Sequence, residues 1–140
     1  MTSHPYLRAY MAGITIPSVF LLLVFAVFCV IRFIYNPEFP IERAMVFPLA
    51  LVPALWGFWN VQFLAMHRHR YLPLGAHGAL VPLILAPIGL LVAKAAGFEH
   101  AVAASWPIVL LALPLVMILY YLVWKFLVGF LNGLLGIACD

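Results

Sequence analysis

The sequence predicts an all-α integral membrane protein, an antiparallel bundle of four transmembrane helices followed by an apolar C-terminal helical extension. Three observations predict it. Hydrophobic residues fill 68% of the 140 positions and charged residues 8%, where soluble domains are roughly a quarter charged. The few charges divide the chain into four uncharged runs, 9–31, 44–66, 71–93 and 101–124, each longer than the roughly 20 residues a helix needs to cross about 30 Å of hydrocarbon. These runs are continuously apolar rather than alternating, which excludes the strands of a membrane barrel.

The first span is too long for the apolar core of a signal peptide and has no A-x-A-like exit, so it is expected to stay in the mature protein as a helix. Asn36-Pro37-Glu38-Phe39-Pro40 stops that helix and leads into the next. The second span holds Pro48 and Pro53, then Trp56, Trp59, Asn60 and Gln62; the third holds Pro82 and Pro87, and the fourth Pro107 and Pro114. An interior proline removes one backbone hydrogen bond and bends its helix, so proline-kinked helices that shape the packing are expected. The functional alternative is a broken-helix binding site of the transporter kind. Short links make successive helices antiparallel neighbours and leave room for a single polytopic domain, 1–140.

Trp106 and Trp124 bracket the fourth span and are expected at its two interfaces, with Lys125 reaching into the cytoplasmic headgroups. Residues 126–139 are too few for another crossing and too apolar for water, so they are expected to lie in the interface or pack against protein. Gly129 and Gly133 fall on one helix face with Gly136 close to it, a small-residue stripe that lets helices approach, and Asn132 beside them can add an interhelical hydrogen bond. This tail is the expected element of self-association or partner docking.

With the N-terminus, the second connection and the C-terminus on one side, that side gathers Arg8, Arg68, Arg70 and Lys125 against Arg32, Arg43 and Lys94. The bias is small; His4, His67 and His69 strengthen it, and both termini are expected in the cytoplasm. The near-even count leaves dual insertion open.

The stretch Leu64-Ala-Met-His-Arg-His-Arg-Tyr-Leu-Pro-Leu-Gly-Ala-His-Gly78 concentrates His67, His69 and His77 with Arg68 and Arg70. Three imidazoles suggest a metal or haem site. Against that, the spacing of two throws His67 and His69 to different sides of a helix, and no carboxylate or cysteine stands nearby. The simpler reading is an anchor: Arg68 and Arg70 meet phosphate headgroups, Tyr71 joins the interfacial aromatic belt, and Pro73 starts the return helix. His77 lies inside the third span beside Gly75 and Gly78, where it is expected to hydrogen-bond to another helix.

Catalytic constellations lack their parts. Glu38, Glu42 and Glu99 fall in connections and Asp140 is the last residue, so no span holds the acid that ion-coupled transporters and proton relays use. Cys29 and Cys139 have neither CxxC spacing nor companion ligands. Seven Lys/Arg are too few for a nucleic-acid surface, and no nucleic-acid partner is expected. The polar residues inside the spans are Thr15, Ser18, Asn60, Gln62 and His77. These observations favour a non-enzymatic membrane protein, a structural or accessory subunit of a membrane complex, whose partners are the lipid bilayer and itself or other membrane subunits, with no cofactor. The alternatives are a small oligomeric channel or facilitator for a neutral or lipophilic solute, with Asn60 and Gln62 contacting cargo, and a haem- or metal-binding subunit using His67, His69 and His77.

Overall fold

The computed structural model describes residues 4–35, 49–67, 72–95, 97 and 99–137, and the regular elements among them are all helical. Helix α1 is Pro5–Tyr35; a 3₁₀ turn, Leu49–Leu51, leads into α2, Val52–His67; α3 is Leu74–Ala79 and α4 Val81–Ala95. Helix α5, Glu99–Leu122, passes through a π-helical segment, Val123–Val128, into α6, Gly129–Leu134. Among the described residues four stretches are long and apolar enough to cross a membrane: Pro5–Tyr35, Leu49–Met66, Leu74–Val92 and Leu110–Leu134.

The break between α3 and α4 has a local cause. Pro82 has no N–H to return to Gly78, and the backbone closes through three-residue bonds, from Leu80 N–H to His77 O at 3.3 Å and from Leu83 N–H to Leu80 O at 3.1 Å. The span continues across this tightened turn.

The last span departs from the boundaries read from the charges. The chain does not leave its helix at Trp124; it stays helical from Glu99 to Leu134, and residues 126–134 of the expected tail are the final turns of the same rod. Lysine is a good helix former, and the Lys125 ammonium lies on the outside, 5.8 Å from the Tyr121 ring centre and 5.3 Å from that of Phe126. Gly136 makes the stop. With φ of 67° it adopts the left-handed conformation that only glycine takes cheaply. Ile137 N–H then bonds to Asn132 O at 2.8 Å and Gly136 N–H to Gly133 O at 3.0 Å, the double bond pattern of a Schellman cap.

Two close helix crossings set the packing. Helices α1 and α2 run antiparallel and touch backbone to backbone at Gly13 and Gly57: a Cβ on Gly13 would stand 2.6 Å from Trp56 O and 2.8 Å from Gly57 Cα. Gly75 and Gly78 of α3 lie against the last helix, where a Cβ on Gly75 would come 2.9 Å from the Tyr121 ring and one on Gly78 would overlap the Trp124 side chain. Trp56, Phe63, Leu74, Val81, Trp124 and Val128 form the core between these pairs. Outside, the helices expose large apolar side chains such as Phe33 at 86% and Leu111 at 84%, the surface of a molecule built to be covered by something apolar.

Candidate functional site

At one end of the molecule all four long helices meet in a layer of buried polar groups. Asn60 on α2 and Asn132 on α6 are both 1% exposed and face each other amide to amide. Asn60 Nδ2 donates to Asn132 Oδ1 at 2.8 Å, and Asn132 Nδ2 donates back to Asn60 Oδ1 at 3.2 Å. Asn60 Nδ2 also donates to the Ala9 carbonyl of α1 at 2.7 Å, so one side chain joins three helices. Next to it Arg8 Nη1 donates to Leu135 O at 2.6 Å. That places a guanidinium against the C-terminal end of the last helix, where carbonyls lack intrahelical partners and the helix dipole is negative.

The layer extends to the third span through a reciprocal pair. Trp59 Nε1 donates to His77 O at 2.9 Å, and His77 Nε2 lies 3.1 Å from Trp59 O. A carbonyl only accepts, so Nε2 carries the proton. The two rings stack with centroids 4.8 Å apart and 24° between their planes, while Phe63 at 5.4 Å and Trp124 at 6.2 Å complete an aromatic surround. His77 is 4% exposed. Its Nε2–H and its stacked ring act as a helix-to-helix tie.

Trp124 does not stand at the rim of the molecule. It is wholly buried at the foot of the π segment, because Gly78 leaves the space its indole occupies. π segments recur at functional positions in helices; here the segment turns both Trp124 and Val128 inward, each 0% exposed. Lys125 is exposed and falls inside Leu110–Leu134, a stretch long and apolar enough to cross a membrane. Gly129 makes an ordinary contact, its Cβ position lying 3.5 Å from a Leu74 methyl, and Gly133 has nothing within 4 Å. Gly136 serves the helix cap.

Asn60 and Gln62 part company. Asn60 is locked in the polar layer, whereas Gln62 is exposed and lines a separate cavity of about 170 Å³ with Phe58, Trp59 and Leu85. Arg68, His69 and Arg70 lie outside the described residues, as do the side chains of His67 and Trp106. Among the described residues no group of three His, Cys, Asp or Glu side chains is placed to hold a metal ion.

A second polar feature sits nearer the middle of the helices. The Trp56 and Trp124 rings are 5.4 Å apart, and each indole N–H is buried without a hydrogen-bond partner. Trp56 and Tyr120, 5.2 Å ring to ring, both line a cavity of about 440 Å³ between α1, α2 and the last helix.

Compared with known proteins, the sequence matches no protein-family model, no curated protein and no solved structure.

Proposed function

We propose that this chain is an integral, multi-pass membrane protein whose four spans form an antiparallel bundle, and that it acts as a non-enzymatic structural or accessory subunit of a membrane assembly. The observation that carries this reading is how the buried polar side chains are used. Asn60, Asn132, His77 and the Arg8 guanidinium bond to other helices of the same chain. In hydrocarbon, such bonds together with close glycine packing hold helices together where no hydrophobic driving force exists. An exterior of exposed Phe, Leu, Ile and Val then meets lipid or neighbouring subunits.

The open face at Gly133 supports the last turns of the final helix as the docking face for a second copy or a partner span. Both termini on the cytoplasmic side is the orientation favoured by Arg8 and the histidine turn. Purification in mild detergent tests the subunit reading: a particle larger than the monomer, reduced in mass by Gly129→Ile/Gly133→Ile, supports it. Selective solute flux in liposomes, abolished by Asn60→Leu/Gln62→Leu, would instead establish a facilitator.

A further inference from the structure

We infer that the cavity between α1, α2 and the last helix binds a membrane-soluble quinone, with the ring carbonyl held by Trp56 and Tyr120 and the chain lying along α1. The cavity measures about 440 Å³ and its walls are apolar, among them Ile16, Phe20, Val52 and Leu119. That volume lies in the range of sites for small organic ligands, which pair an apolar body with a few placed polar groups. The polar groups here are two. Tyr120 brings the only side-chain hydroxyl among the lining residues, and Trp56 brings a buried indole N–H that makes no hydrogen bond. The Tyr120 and Trp56 rings are neighbours, with centroids 5.2 Å apart. Two donors side by side suit one acceptor oxygen, and a buried donor left without a partner is disfavoured by the full desolvation of that group.

Depth selects the class of acceptor. Trp56 is eleven residues before the end of α2 at His67 and Tyr120 fourteen before the end of α6 at Leu134, so at 1.5 Å per residue they stand about 16 and 21 Å inside the helix ends. In a hydrocarbon layer of about 30 Å this is near the middle. Glycerolipid ester carbonyls stay with their headgroups at the interface; a quinone is an acceptor-bearing ring that dissolves in the hydrocarbon itself. The depth rests on the membrane reading, which fractionation resistant to alkaline carbonate tests separately.

The test uses the full chain in detergent micelles and decylubiquinone as probe. Binding is read as a quinone-dependent rise in unfolding temperature, with saturable tryptophan quenching as a second readout. Wild type binds saturably; Tyr120→Phe, which removes one oxygen and no volume, weakens binding about tenfold, the loss expected for one hydrogen bond. Val52→Trp, which fills the cavity, removes saturable binding. Decylbenzene, with a ring and chain but no carbonyl, binds at least about tenfold more weakly than decylubiquinone. Equal binding of decylbenzene, displacement of the quinone by dioleoylphosphatidylcholine at equal mole fraction, or unchanged affinity in both Tyr120→Phe and Trp56→Phe overturns the assignment. If Trp56→Phe elutes as aggregate, Tyr120→Phe decides alone.

Discussion

Asn60 and Asn132 are each acceptable in an apolar interior only because the other is there. Primary amides carry two donors and an acceptor, and in this pair most of that capacity is met by the opposite amide and the Ala9 carbonyl. Replacing one of them, Asn60→Leu or Asn132→Leu, leaves the survivor buried and unpaired and should destabilise the protein by about 1–3 kcal/mol. The double replacement should recover part of that loss. A double-mutant cycle by denaturant titration in micelles should give a coupling of about 1 kcal/mol, and strictly additive losses would show that the pair is not energetically linked. Asn60 and His77 could be singled out in the sequence because each is a polar residue inside an apolar run. Asn132 could be named as a hydrogen-bonding residue but not matched to its partner, which lies 72 positions away. Arg8 was legible only as a topology charge; its acceptor is 127 positions distant, and no local pattern announces it.

Helices were legible as elements, and their contacts much less so. Charge-to-charge parsing finds the apolar stretches, but it treats a lysine as a boundary, and Lys125 on the outer surface of a continuing helix is not one. The glycine that ends that helix is recognisable from its φ, and Gly136→Ala should cost about 1 kcal/mol by straining the cap. Hydrogen exchange at residues 131–137 should speed up in that variant, and unchanged protection would rule out a capping role. The close crossing of α1 and α2 was missed for a different reason. Gly129 and Gly133 match a familiar spacing within one helix, whereas Gly13 and Gly57 form a pair only once α1 and α2 are laid side by side. Gly13→Val must push Trp56 O or the Gly57 backbone aside and should destabilise the fold by at least about 2 kcal/mol. Gly133→Val meets open space and should change the stability of the isolated chain by less than about 0.5 kcal/mol. Thermal unfolding of the two variants in the same detergent compares them directly.

For the whole molecule, the Arg8 to Leu135 contact fixes the start of α1 and the end of α6 at the same end of the structure. Reporters fused at the two termini should therefore report the same compartment in every inserted molecule, whichever orientation the chain takes; opposite compartments would break the four-span arrangement. The same contact bears on how the protein is made. Arg8 and Ala9 leave the ribosome well before Asn132 and Leu135. During synthesis the Arg8–Leu135 and Asn60–Asn132 bonds cannot form until the final turns arrive to close the layer. Arrival of the last helix thus closes the layer: a nascent chain stopped at Val128 has its long helices nearly whole but lacks Asn132 and Leu135. Such a truncated product should insert yet be cleared by membrane proteases several-fold faster than the full chain in a pulse-chase experiment, and Arg8→Met in the full chain should shift its lifetime in the same direction.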